Sequence, residues 1–179
     1  SEGKLVTEKD KYRGYTYCID NKIGGEMMIF NRNRLLQQSI AKQNEIKKCL
    51  KEFDNQRVII FTGYNKTAES LNIPYYHSKC KNTNSLDSFN NKEFNHLALA
   101  VKGQIGVTYK DLDVVILSNF LTDSSKNQQG LTRSSIKDYE DKVSKFVIIC
   151  TNTPSELKKL SKTLNEFDKS KIIYKYGNK

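Results

Sequence analysis

Four short apolar runs punctuate the chain: Val58 to Thr62 (VIIFT), Leu97 to Val101 (LALAV), Val114 to Leu117 (VVIL) and Phe146 to Cys150 (FVIIC). Runs of this length, β-branched and without polar alternation, are the pattern of strands buried on both faces of a sheet. Helical patterns stand between them. Leu36, Ile40, Ile46, Leu50 and Phe53 predict one apolar face of a helix that begins near Asn31, with Arg32, Arg34, Lys42, Lys47 and Lys48 on its solvated side. Asp54, Asn55 and Gln56 end it. Asn65 is placed to cap a helix running to Leu71. Pro74 to His77 predicts a short strand, and Ser85 to Asn91 a short helix with Leu86 and Phe89 turned inward. Thr153-Pro154-Ser155-Glu156 combines a cap, a proline at the first helical position and a glutamate at the third, the signature of a capping box. Leu157, Leu160, Leu164 and Phe167 then mark an amphipathic helix, and Lys171 to Tyr176 predicts an edge strand. Alternating strands and helices give an α/β fold, a three-layer sandwich whose mainly parallel sheet is flanked by helices.

Residues 1–30 read as an N-terminal linker or extension, with a short strand at Arg13 to Ile19 and a turn at Lys22 to Gly25; residues 31–179 read as the domain. A length of 179 residues suits one domain with a real core. Mean hydropathy of −0.66 and the lack of a membrane-length apolar run exclude a helical membrane protein, and the first residues carry no secretory pattern, so a cytoplasmic location is expected. The four cysteines, Cys18, Cys49, Cys80 and Cys150, form no Cys-x-x-Cys cluster; no metal site is expected, and Cys49 and Cys150 read as small core hydrophobes. The net charge of +10 changes the picture more: a basic domain of this size favours polyanions, nucleic acid first. A lysine-rich composition is the plainer explanation for part of that charge.

The chemistry concentrates at the ends of the apolar runs. Between Leu97 to Val101 and Val114 to Leu117 lies a loop with two glycines, Lys102-Gly103-Gln104-Ile105-Gly106, which lets backbone amides approach a phosphate. Thr62 and Gly63 close the first run, and His77, Ser78 and Lys79 close the short strand after it. The order of these pieces resembles the second, C-terminal RecA-like lobe of superfamily 2 helicases and DNA translocases. Val58 to Thr62 resembles that family's motif IV; Val101 to Ile116 resembles motif V in the Swi/Snf-like and phage-helicase style. Gln129 to Arg133 resembles motif VI, Gln-x-x-Gly-Arg. The likeness runs from Leu35 to Phe167.

The resemblance implies a RecA-like sheet and two tasks. One is gripping a nucleic-acid backbone, single strand favoured, DNA or RNA, through Thr62, Gly63, His77, Ser78, Lys79, Lys102 and Gly103. The other is completing the ATP site of a first RecA-like lobe in cis, with Gly106, Asp111, Gln129 and Arg133 facing the nucleotide and Gln129 and Arg133 acting in catalysis. ATP and Mg2+ would be held through the longer enzyme, and viral or phage relatives would place it in a host cytoplasm. The family pattern continues Gln-x-x-Gly-Arg-x-x-Arg, whereas here Thr132 replaces the glycine and Ile136 the last arginine, leaving Arg133 to supply the finger alone. No phosphate loop and no acidic magnesium motif follow any strand, so the chain is not expected to hydrolyse ATP by itself. The alternative is a free-standing, non-catalytic module that binds nucleic acid or protein.

Overall fold

The computed structural model describes residues 34–36, 38–77, 79–80, 84–100, 109, 111–120, 145–165 and 167–175. The chain divides into two units, Ser1–Ser39 and Ile40–Lys179. In the first, residues 34–36 form a helical turn closed by Gln38 N–H on the Arg34 carbonyl at 3.0 Å. The second unit holds the sheet.

Its elements run α1 (Ile40–Glu52), β1 (Val58–Thr62), α2 (Asn65–Glu69), β2 (Tyr75–Tyr76), α3 (Asn84–Asn90), β3 (His96–Ala100), β4 (Val114–Leu117), β5 (Lys145–Ile148) and α4 (Pro154–Leu164). All five strands are parallel, in the order β2-β3-β1-β4-β5. The α/β architecture expected from the alternating pattern is therefore the observed one. Every residue of β1 and β4 is buried, as continuous apolar runs in a sheet covered on both faces require. Successive side chains of a strand point to opposite faces. Val58 and Ile60 accordingly pack with α1 and α2, through Ile46, Leu50, Ala68 and Leu71. Ile59 and Phe61 pack on the other face with Phe89, Leu97, Leu99, Tyr109 and Leu112, joined by Leu160 of α4 and by Phe167. Burial raises the Tyr109 hydroxyl well above the ordinary tyrosine range. Among the described residues, no helix is long and apolar enough to cross a membrane.

Several expectations are corrected. Residues 38 and 39 are not helical, so no single helix runs from Asn31; α1 begins at Ile40, which is 76% exposed. The buried stripe of α1 is Lys42, Ile46 and Leu50, spaced four residues apart, and Ile40 lies two positions, hence about 200°, away from it. Lys42 is thus inside, not on the solvated side. Asn65 is the first residue of α2; Tyr64 occupies the cap position, and its side chain does not cap the helix. Leu157 of α4 is 42% exposed, because Glu156 and Thr163 take the innermost positions of that helix. The 172–175 segment is not a strand: Lys169–Lys171 is a short 3-10 helix, and Ile173 and Tyr174 beyond it are exposed. The predicted elements at 13–19, 22–25 and 127–135 lie outside the described residues.

Two details lock the ends of the sheet. At the amino end, α3 terminates with Glu93 N–H on the Ser88 carbonyl and Lys92 N–H on the Phe89 carbonyl, a Schellman arrangement with Lys92 in the left-handed region at φ 64°. Lys92 Nζ then reaches Asp111 Oδ2 at 2.8 Å. At the carboxyl end, Thr153 caps α4 by accepting Glu156 N–H at 3.4 Å, with Pro154 at the first helical position. The Glu156 carboxylate does not turn back to Thr153. Its Oε2 accepts the backbone N–H and the hydroxyl of Thr151, and its Oε1 accepts Lys42 Nζ at 2.8 Å. Lys42 Nζ also donates to the Ser118 carbonyl at 3.2 Å. Lys42 and Glu156 side chains are 3% and 8% exposed, a buried ion pair over the end of the sheet.

Removing one partner of a buried pair costs on the order of 3 kcal/mol, because the other charge stays desolvated. Glu156→Ala is expected to lower unfolding free energy by about that amount. The double variant Lys42→Met with Glu156→Leu is expected to recover part of the loss, read as urea midpoints in a double-mutant cycle.

Candidate nucleic-acid interface

The parallel sheet sends the ends of β1, β2 and β3 to one edge. Thr62 of β1 stands opposite Ala100 of β3, and Tyr76 of β2 stands opposite Leu99, so the residues following β1 and β2 emerge on either side of β3. Gly63 and the turn that His77 and Cys80 close therefore share the carboxyl edge, about 10 Å apart across β3, where open α/β sheets bind their ligands.

The side chains there are committed differently from the sequence expectation. Thr62 is fully buried, and its hydroxyl faces the carbonyls of Leu99 and Tyr64, each at 3.2 Å. It holds β1 to β3 and does not present a hydroxyl to a phosphate. Gly63, half-buried, follows directly and begins the bend into α2. His77 is 6% exposed, and both its ring nitrogens are engaged. Nδ1 accepts the Lys79 backbone N–H at 3.2 Å, so the neutral ring carries its proton on Nε2 and donates it to Glu69 Oε1 at 2.9 Å. His77 is a brace between α2 and the turn rather than a phosphate ligand. The turn is closed by Cys80 N–H on the His77 carbonyl at 2.9 Å, and Lys79 projects from it, exposed. Tyr75 stacks on the His77 ring, centroids 5.5 Å apart and planes within 14°, and is itself 37% exposed.

Asp111 lies elsewhere. It precedes β4, whose first residue Val114 stands opposite Val58, the first residue of β1. That is the amino edge, where Val58 lies about 16 Å along the strand from Gly63. Its pairing with Lys92 and its own φ of 54° give it a structural part there. Nearby, the Asp113 carboxylate accepts Arg57 N–H at 2.8 Å, and the buried Arg57 guanidinium lies 4.2 Å over the Phe89 ring and donates to the Phe89 carbonyl. Burial lowers the Arg57 pKa. Asp111 does not fit a nucleotide held at the carboxyl edge. Ser78, Lys102, Gly103, Gly106, Gln129 and Arg133 lie outside the described residues.

Sequence reasoning missed Glu69, Tyr75 and Lys42. For Tyr75 a signal existed: on a strand, residues two apart share a face, which puts Tyr75 beside His77. For Lys42 the only clue was the apolar stripe that its stem completes.

The sequence matches no family model and no curated protein. Solved structures are similar to it. The C-terminal domain of the DEAD-box protein Dbp5 matches with a TM-score of 0.60 at 14% identity, over 73% of this chain and 81% of that one. The C-terminal part of the Fun30 ATPase domain matches with a TM-score of 0.54 at 19% identity, over 74% and 47%. S. cerevisiae Dbp5 bound to RNA and ADP BeF3 matches with a TM-score of 0.57 at 14% identity, over 71% and 37%. The chain thus has the RecA-like α/β fold of helicase C-terminal lobes. It spans less than half the length of the Fun30 part and of the RNA-bound Dbp5 chain.

Thr62→Val keeps the shape and removes the hydroxyl. It is expected to lower unfolding free energy by about 1 kcal/mol in chemical denaturation while leaving single-strand affinity unchanged. A loss of affinity without a loss of stability would restore Thr62 to the phosphate-contacting set.

Proposed function

We propose that the chain is the second lobe of an ATP-dependent nucleic-acid motor and grips the backbone of a single strand at the carboxyl edge of its sheet. The observation that carries this reading is that Gly63 and the exposed Lys79 emerge at that one edge, on either side of β3, on the same fold as a protein solved with RNA. Ser78, next to Lys79 in sequence, and Lys102 and Gly103, which follow β3 in sequence, belong to the same contact set. Contacts made by backbone amides and lysines fix register without reading bases, as a motor moving along any sequence requires. A net charge of +10 supplies the long-range attraction. In this reading Gly106, Gln129 and Arg133 face ATP and Mg2+ held by a first lobe, and Arg133 stabilises phosphoryl charge with its planar, permanently charged fork. Asp111 is not part of the proposal. The enzyme would work in the cytoplasm.

The departures at Thr132 and Ile136 favour the second reading, a module that binds nucleic acid without turnover. Two measurements separate them. Affinity of the chain for a fluorescent single-stranded oligonucleotide is expected to fall steeply with salt. Lys79→Glu should weaken it and flatten the slope of log K against log salt by roughly one phosphate contact. A flat salt response removes both readings. In the two-lobe enzyme, Arg133→Ala is expected to reduce kcat for ATP about a thousandfold with nucleic-acid affinity nearly intact. Unchanged turnover selects the binding module.

A further inference from the structure

We infer that Tyr75 is a stacking platform for one unpaired base of the bound strand, a contact that rests on the nucleic-acid reading above and extends it from backbone to base. Tyr75 sits in the edge strand β2, which pairs with β3 through Ala98. Its ring lies parallel to the imidazole of His77, 5.5 Å between centroids. The imidazole cannot swing away, because Glu69 holds Nε2 and the Lys79 backbone holds Nδ1. One side of the tyrosine is therefore fixed against a braced ring, and the side chain remains 37% exposed, whereas the other strand aromatics among the described residues, Phe61, Tyr76 and Phe146, pack into or against the core. An aromatic ring already held in place loses little conformational freedom when a base settles on it.

Lys79 defines what kind of ligand this is. The same turn that orders His77 projects the Lys79 ammonium, exposed, four residues from Tyr75. A flat aromatic surface beside a cation matches a nucleotide, base on the ring and phosphate on the lysine. That pairing is how sequence-tolerant single-strand sites are built. The order of the sheet supplies the path. From Gly63 at the end of β1, a strand crossing β3 reaches the end of β2 in two inter-strand steps, about 10 Å, and leaves the sheet beside Tyr75. Stacking is open to every base because each has a π face, so the contact adds affinity without sequence preference. A duplex, whose bases are already stacked, gains nothing from it.

The test uses the 179-residue chain and short oligonucleotides carrying 2-aminopurine, whose fluorescence is quenched on stacking. Wild type is expected to quench the probe on a single strand and to bind a duplex of the same length more weakly. Tyr75→Ala and Tyr75→Leu should both lose about tenfold in single-strand affinity together with the quenching, whereas Tyr75→Phe should keep both. Tyr75→Leu retains an apolar cover for His77, so its loss would not come from the turn opening; circular dichroism melts check that all three variants fold. If wild type binds with steep salt dependence and Tyr75→Ala matches it in affinity and quenching, the platform is overturned while the backbone grip stands. If wild type binds no oligonucleotide at low salt, the nucleic-acid reading falls and the platform with it.

Discussion

The buried pair between Lys42 and Glu156 is the constraint on which the arrangement of the sheet's carboxyl edge depends. Helix α1 lies on one face of the sheet, and the body of α4 packs on the other through Leu160. The two meet only by reaching over the strand ends, and a lysine stem is long enough to do so. Glu156 answers with both carboxylate oxygens, one on Lys42 and the other on the backbone and hydroxyl of Thr151, just past β5. Lys42 also binds the Ser118 carbonyl beyond β4. The ion pair thereby ties α1, α4 and the ends of β4 and β5 together, the ammonium at β4 and the carboxylate at β5. Neighbouring Cys150 feels the same surroundings: burial, and then the Glu156 charge, raise its thiol pKa.

The strands were legible because burial on both faces leaves a signature in residue type alone: VIIF and VVIL contain nothing that water would keep. Register and order were not legible, since any permutation of such runs reads alike. Helix phase failed for a specific reason. Ile46, Leu50 and Phe53 share the buried face, but Ile40 does not; the stripe is completed by the stem of Lys42, and a lysine in sequence is indistinguishable from a solvated one until its partner 114 residues away is known. Leu157 was misplaced by the same mechanism, because Glu156 holds the inward position. The segment 172–175 is rich in β-branched and aromatic residues, as a strand should be, but Ile173 and Tyr174 are left in solvent. Propensity proposes a strand, and only a free ladder position makes one.

The site divides in the same way. Its location was readable, because residues that end parallel strands must emerge on one edge. The commitments of its side chains were not. A threonine and a histidine at strand ends look alike whether they await a ligand or hold the protein together, and here both hold it together. The groups left facing outward are a glycine, a lysine on a tight turn and the tyrosine beside it.

The strand order adds a further step. From β1 the chain first builds β2 and β3 on one side, then crosses to build β4 and β5 on the other. Residues 63 to 103, which include every position assigned to the strand grip except Thr62, belong to the first excursion. Residues 121–144, which include Gln129 and Arg133, connect the strands of the second. On the proposed reading, the grip positions and the pair Gln129 and Arg133 thus fall in connections on opposite sides of β1, while Gly106 falls in the connection that crosses from β3 to β4. The side that must let a strand pass is built with a small residue and a short edge strand. The side assigned to the nucleotide is cross-linked by the one buried charge pair among the described residues, Lys42 and Glu156. Between the two halves, the buried hydroxyl of Thr62 on the Leu99 carbonyl adds a side-chain tie to the backbone ladder that joins β1 to β3.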